Sequence, residues 1–351
     1  MRLISSPSCT RSSKGLLHRL LNTRLQAGVL LSGLLLTGCA TAPQTRQLTL
    51  ARPAALPSTY ELEQVPFFPQ TRYQCGPAAL ATVLASHGID ITPDSLVDQV
   101  YVPGLKGSLP EELTASARRY GMLAYPLAPA LADILTEVAD GHPVLVFQNL
   151  GLRWLPQRHF AVVVGYELEA GELLLRSGTL RRQRTTLSTF ERTWARTRHR
   201  AWVILPAGEV PATAEPLAYL RAAHELERSD RDGAARAAWL AATRTWPDSF
   251  RAWMALGNSH YAALEFSQAG TAFHRATRVS PDQPAGWNNL AYALLKNRCP
   301  QQARIAANCA RQLAPDDGPV RQTAVEIGQL ASGRDAPHCR ALSCPATKHN
   351  R

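Results

Sequence analysis

The sequence has no apolar run approaching the ~20 residues of a membrane-spanning helix, which excludes a polytopic membrane protein. It is short of charge: 19% Asp, Glu, Lys and Arg against 45% hydrophobic residues excludes a wholly disordered chain. Acids are missing from one end altogether, since residues 1–38 hold Arg2, Arg11, Lys14, Arg19 and Arg24 and neither Asp nor Glu. No Cys/His spacing suits zinc, so no metal and no cofactor is expected. No aromatic residues interleave with the basic run Arg181-Arg182-Gln183-Arg184. That removes the stacking platform of a nucleic-acid surface and leaves a solvated strand edge. What remains is 351 residues, room for two domains and tails at roughly 150 residues per domain.

The formal charge of +11 suggests an anionic partner until its location is considered. The five cations of the first 38 residues precede an apolar run, Ala27–Leu36, and then Leu36-Thr37-Gly38-Cys39. A basic segment, a short apolar segment and small residues before a cut make a signal peptide. The final four residues resemble a lipoprotein lipobox. The resemblance implies cleavage before Cys39, acylation of that cysteine, and a mature charge of +6. Ala40 in place of Asp resembles the outer-membrane sorting choice. The expected location is therefore the cell envelope, lipid-anchored at the outer membrane and facing the periplasm. Residues 39–59, rich in Ala, Pro, Thr and Gln, read as a flexible tether.

From 60 to 206 the pattern is helices first and strands later. Gly76-Pro77 opens an apolar stretch ended by Gly88, Ser108 with Glu111 suggests a capping box, and a further helix fits 129–140. Strands follow at 144–147, 160–166, 173–175 and 202–205. This order predicts an α+β domain. From 216 to 317 a 34-residue period takes over. Pro247, Pro281 and Pro315 keep it, as do Ala242, Ala276 and Ala310, and Tyr219, Trp253 and Trp287. Trp253-x2-Leu256-Gly257 and Trp287-x2-Leu290-Ala291 match the tetratricopeptide pattern of two antiparallel helices per unit. Three units are expected (216–249, 250–283, 284–317), an all-α solenoid closed by a capping helix and tail over 318–351.

The chemistry-bearing segment is Gln70-Thr-Arg-Tyr-Gln74-Cys75-Gly76-Pro77. A cysteine at a helix start sits where the macrodipole is positive, which favours thiolate over thiol. A glutamine upstream is a donor for a developing oxyanion. Later comes Gln157-Arg158-His159-Phe160-Ala-Val-Val-Val-Gly165-Tyr166, a histidine opening an apolar strand. Together the two blocks resemble the papain-like bacteriocin-processing cysteine peptidases, especially their stand-alone, transporter-free relatives. The resemblance covers residues 60–206 and implies a papain-like fold with Cys75 as nucleophile, His159 as general base and acid, and Gln70 as oxyanion donor. Gln74 is the alternative donor. His87, His142 and His199 read as ordinary surface or turn residues.

The family pattern expects an acid, usually Asp before Pro, at the end of the following strand. This chain has Arg176-Ser177-Gly178-Thr179 there. Pairing Tyr166 with Glu172 across the turn puts His159 opposite Thr179, and the two-residue period puts Ser177 and Thr179 on the face of His159. Glu167, Glu169 and Glu172 fall roughly 20 Å away along the strand and cannot reach the ring. Ser177 is the first candidate to orient the imidazole, with Thr179 or a backbone carbonyl as alternatives. A neutral group holds an imidazolium less well than a carboxylate does.

Apart from Cys9, Cys39 and Cys75, four cysteines remain: Cys299, Cys309, Cys339 and Cys344. Cys299 and Cys309 lie ten residues apart on one helix, about 15 Å, too far to bridge. Each is therefore expected to pair with the tail. These readings add up to a lipid-anchored periplasmic cysteine peptidase acting on a peptide or protein, with the tetratricopeptide module binding substrate or a protein partner. The rivals are a peptidase-like binding scaffold that has lost turnover, and an amidase or acyl transferase on envelope peptides.

Overall fold

The computed structural model describes residues 42–70 and 74–345. The leader and the acylation candidate Cys39 lie outside them. No helix among the described residues is long and apolar enough to cross a membrane.

The segment expected to be a tether instead holds a docked helix, α1 (Pro43–Leu50). Its unpaired N-terminal N–H groups find a carboxylate. Glu191 accepts from Gln44 N at 2.9 Å and from Thr45 N and Oγ1 at 2.7 Å, while Gln44 Oε1 accepts from Leu131 N. The short strand β1 (Thr59–Glu61) follows. Helix α2 (Cys75–Ser86) is made of small and aliphatic residues buried from Gly76 to Leu84. Next come α3 (Pro93–Val100), the two-residue strands β2 (Tyr101–Val102) and β3 (Gly107–Ser108), and α4 (Pro110–Arg119). The capping box expected at Ser108 does not form. Pro110 has a fixed φ and no N–H to satisfy, so the helix starts there with Leu109 as its cap.

The sheet comprises β1, β4 (Met122–Pro126), β5 (Val144–Asn149), β6 (Arg158–Glu167), β7 (Glu172–Ser177), β8 (Leu180–Thr186) and β9 (Ala201–Pro206). It is antiparallel throughout, in the order β4-β9-β5-β6-β7-β8, with β1 beside the end of β6 that β5 leaves uncovered. Edge strand β8 carries the basic run, and two of its three charges are paired. Arg182 binds Glu61 and Glu167, and Arg184 binds Glu172 at 2.6 Å and also Glu167. One face of the sheet packs on α2, α3 and α4 through Leu80, Leu84, Leu96, Leu113, Leu145, Phe160 and Val162. The other packs on α5 (Leu131–Ala139) and α6 (Leu187–Ala195).

Beyond residue 215 the chain is helical. The pairs are α7 (Pro216–Glu227) with α8 (Asp232–Thr245), α9 (Phe250–Ala262) with α10 (Phe266–Val279), and α11 (Pro284–Lys296) with α12 (Pro300–Leu313). α13 (Gly318–Leu330) closes the row. The first helices begin at 216, 250 and 284 and the closing helix at 318, so the sequence period is the helix-pair period. Recurring side chains do the same task in successive units: Trp253 Nε1 donates to Pro247 O at 2.8 Å, and Trp287 Nε1 to Pro281 O at 2.9 Å.

The expected chain boundary near 206–216 is not a packing boundary. Tyr219, Leu220, Ala223, Leu226 and Trp239 of the first helix pair complete the core on the α5/α6 face of the sheet. The connection itself is fastened by Glu137, a fully buried carboxylate. It accepts from Thr213 N at 2.7 Å, Thr213 Oγ1 at 2.6 Å and Ala212 N at 3.3 Å, and pairs with His142 Nδ1 at 2.8 Å. His142, read from sequence as an ordinary turn residue, is thus half of a buried clamp. Burial lowers the His142 pKa but the Glu137 carboxylate more than offsets this and raises it, while His142 and Thr213 lower that of Glu137 against its own burial.

Cys299 is bonded to Cys339 and Cys309 to Cys344, with Cα separations of 5.7 and 5.1 Å. The tail is thereby strapped across the last helix pair, and Leu342 N donates to Gln302 Oε1 at 2.8 Å. Cys299, His338 and Cys339 form a three-ligand cluster that sequence spacing did not reveal, but its two sulfurs are joined to each other.

Gly257 illustrates the packing within a unit. A Cβ there would lie 2.4 Å from the Phe273 ring. One unit later the same two positions are Ala291 and Ala307, a small pair in place of glycine and phenylalanine. We expect Gly257→Ala to lower the unfolding free energy by about 1–3 kcal/mol in urea titrations. In a Phe273→Ala background it should cost less than half of that. Equal costs in both backgrounds would refute the contact.

Candidate active site

The site lies where α2 begins and β6 begins. Gly76 and Pro77 set up the helix start, and Gly76 is required there. A Cβ on it would meet Ser108 Oγ at 2.2 Å, so a side chain at 76 would push β3 away. Ser108 Oγ is buried directly against this turn with no hydrogen-bond partner among the described residues. Cys75 is the first residue of the helix and the one free cysteine among the described residues. Its sulfur faces the backbone N–H groups of Phe160, Gly76 and Cys75 itself. Phe160 is stacked on Phe147 at 4.6 Å, and these rings floor the helix start.

His159 precedes Phe160 and is half-buried. Its Nε2 lies 2.8 Å from Ser177 Oγ. With Nε2–H donating to that hydroxyl, Nδ1 keeps its lone pair for a proton from a thiol. Ser177 is buried at the end of β7, whereas Thr179 is exposed in the Gly178-Thr179 turn and does not orient the ring. The register between β6 and β7 differs from the expected one only near the turn. There Tyr166 pairs with Leu173, one residue off the expectation. An irregularity between Val163 and Gly165 then absorbs one residue, and Val162 pairs with Arg176. Past this bulge the frame is the expected one, with Ser177 in line with Ala161, two residues from His159 on the same face, and its hydroxyl reaches the ring diagonally.

Gln70 also converges on this point. Its backbone N donates to Gly178 O at 2.9 Å, and its side-chain Nε2 lies 3.5 Å from Phe160 O. Gln74 is the cap residue before α2, its carbonyl accepting from Ala78 N at 3.1 Å. Arg176 was noted from sequence only as part of the missing-acid segment, yet it positions the non-regular segment that leads to Gln70. Almost fully buried on the face opposite Ser177, it donates to the carbonyls of Arg181 (2.7 Å), Val65 (3.3 Å), Leu62 and Glu63 (both 3.4 Å). An arginine inside an otherwise apolar strand was the available signal.

The electrostatics overturn one expectation. Burial pushes the Cys75 thiol above its ordinary value, and the three surrounding N–H groups offset this only in part. Burial alone lowers the His159 imidazole to about 4, with no carboxylate to oppose it. The helix-start dipole therefore does not yield a resting thiolate; the resting pair is thiol and neutral imidazole.

A cleft of about 640 Å³ opens at Arg158, the residue before His159, lined also by Phe147, Arg153, Arg196, Arg198 and the Glu111–Arg200 ion pair, with neither Cys75 nor His159 in its lining. Its rim is the hairpin 150–157. There Trp154 is 78% and Leu155 63% exposed, an unusual display for a soluble surface.

An α+β, papain-like core that brings a helix-start cysteine to a strand-end histidine is a cysteine-peptidase-like domain. Residues 62–202 match the Peptidase C39 like family. Solved structures similar to the chain include a C39-like peptidase from Bacillus anthracis (17% identity, 42% of this chain and 98% of that one, TM-score 0.37). Another is the peptidase domain of Streptococcus ComA, a bi-functional ABC transporter involved in quorum sensing (20% identity, 41% and 99%, TM-score 0.34). A third is the first TPR of Spaghetti (RPAP3) bound to an HSP90 peptide (13% identity, 33% and 94%, TM-score 0.32). No curated protein matches the chain.

The neutral partner of His159 yields a pH prediction. Between its folded value of about 4 and the ordinary 6.5, the unfolded chain binds more protons at this residue than the folded one. Its contribution to stability is thus complete above pH 6.5 and is lost as the pH falls toward 4. In NMR titrations of the wild type His159 should show this depressed value. Ser177→Asp should raise it above 6.5 and speed iodoacetamide alkylation of Cys75 at pH 7 by about tenfold or more. An unmoved histidine in Ser177→Asp would remove Ser177 from the orienting role.

Proposed function

We propose that the protein is a lipid-anchored cysteine peptidase of the cell envelope, held at the outer membrane through Cys39 and facing the periplasm. The observation that carries the peptidase reading is that the Cys75 sulfur faces the N–H of Phe160, the residue next to His159, while His159 is held by Ser177. The leader and lipobox support the location, and two cystines suit an oxidising compartment.

In this mechanism Nδ1 of His159 takes the proton of Cys75 as the sulfur attacks a peptide carbonyl. The Cys75 N–H and the Gln70 side-chain amide stabilise the oxyanion. The imidazolium returns its proton to the leaving amine, and water then resolves the thioester. Because the pair starts neutral, the nucleophile forms only as the carbonyl arrives. The arginine-lined cleft favours substrates with acidic residues beside the scissile bond, their apolar neighbours resting on Trp154 and Leu155. The tetratricopeptide-like array would bind the substrate protein or a partner.

The neutral resting pair also favours a second reading, a peptidase-like scaffold without turnover. A fluorescent thiol-reactive probe and a panel of quenched peptides separate the two. Labelling and cleavage that both vanish in Cys75→Ala support the peptidase, with Glu-containing peptides cleaved at least about tenfold faster than their Lys counterparts. Labelling without cleavage of any envelope peptide, judged by mass spectrometry of cells with and without Cys75, supports the scaffold.

A further inference from the structure

A second site lies in the helical array, away from the cysteine. The strapped tail, α10 and α11 border an open pocket of about 500 Å³. His274, Arg275 and Arg278 enter it from α10, and His338 and Arg340 enter it from the tail. Leu290, Leu294 and Leu342 supply apolar surface. No Asp or Glu lines it. Arg275, Arg278 and Arg340 make no ion pair or hydrogen bond through their guanidinium groups among the described residues, although other arginines of the chain are paired with carboxylates. The charges act on one point. Burial, and then Arg278, Arg275 and Arg340, push the His274 imidazole below its ordinary value.

Arg275, Arg278 and Arg340 are solvent-exposed, so water screens them in the free protein, but their convergence from two separate stretches of chain leaves a local positive field that favours an anion. The strap makes the convergence obligatory, because Cys339 and Cys344, on either side of Arg340 and Leu342, are each covalently fixed to α12 or the residue before it. The volume exceeds the needs of a lone inorganic ion and falls in the range of ligand pockets. Planar guanidinium forks match carboxylates, and the leucines match an apolar side chain between them.

We propose that this pocket is a binding site for a short acidic peptide segment, with carboxylates on Arg275, Arg278 and Arg340 and an apolar side chain against Leu290, Leu294 and Leu342. The site is independent of the peptidase reading. It makes the cystines part of a recognition device as well as a staple.

The test is fluorescence anisotropy on the full chain with a fluorescein-labelled Glu-Leu-Glu-Leu-Glu peptide and its Gln-Leu-Gln-Leu-Gln counterpart. The acidic peptide should bind at least about tenfold tighter, and Arg275→Ala and Arg340→Ala should each weaken it about tenfold while leaving both cystines in place. Cys75→Ala should leave the affinity unchanged, and bound peptide should raise the His274 pKa in NMR titrations. Equal binding of the two peptides, or unchanged affinity in the Arg275→Ala/Arg278→Ala double variant, overturns the proposal. So does tighter binding of inorganic phosphate or of phosphatidylglycerol vesicles at the same residues, which would assign the pocket to phosphate or lipid.

Discussion

One neutral hydrogen bond, Ser177 Oγ to His159 Nε2, governs the chemistry available to the cysteine. A carboxylate at that position would hold an imidazolium and, through it, a thiolate. A hydroxyl fixes the tautomer and the ring direction but adds no charge. Burial is then unopposed and both partners rest uncharged. The consequence is a nucleophile that must be generated during attack, a regime in which exact placement of the carbonyl matters more than the basal reactivity of the sulfur. The acids nearest in sequence cannot substitute. Glu167 and Glu172 are committed to Arg182 and Arg184 on the sheet edge.

Strand β6 transmits this arrangement. It is hydrogen-bonded to β5 and β1 along one edge and to β7 along the other, and its two faces belong to two different cores. The bulge near Val164 decides which β7 residue reaches His159. Alternation then divides the labour at the end of β7. Ser177 faces the histidine, and Arg176 faces the other way to gather the carbonyls of residues 62–65, the lead-in to Gln70. Losing either the bulge or the arginine would move a candidate functional group without touching it.

What the sequence made legible, and what it did not, follows from the range of the interactions. The 34-residue period is a local packing requirement repeated in register, so Trp253, Trp287 and the prolines carry it in the sequence itself. The reach of a helix ruled out a bridge between Cys299 and Cys309. The Cys75 and His159 blocks could be paired because each carries its own local pattern. Long-range contacts left no such trace. Glu191 capping α1, Glu137 holding residues 212–213, and Tyr219 with Trp239 entering the sheet core each join segments dozens of residues apart. The thiol's raised pKa escaped for a related reason. The helix dipole can be read from position, whereas burial of Cys75 is a property of the assembled site.

These long-range contacts fix how the two halves of the chain can cooperate. A flexible linker would let the helical array search a volume around the active site and would dilute any bound ligand accordingly. Here the connection is clamped through Glu137 and Tyr125, whose hydroxyl accepts from Glu215 N at 3.0 Å, and the first helix pair shares the sheet's core. The array therefore stands at a set distance and orientation from Cys75. A ligand held on it gains effective concentration at the cleft only if its length matches that span; a shorter one is held out of reach. Recognition in the array would then select by the spacing between two segments of a substrate as well as by the residues within them.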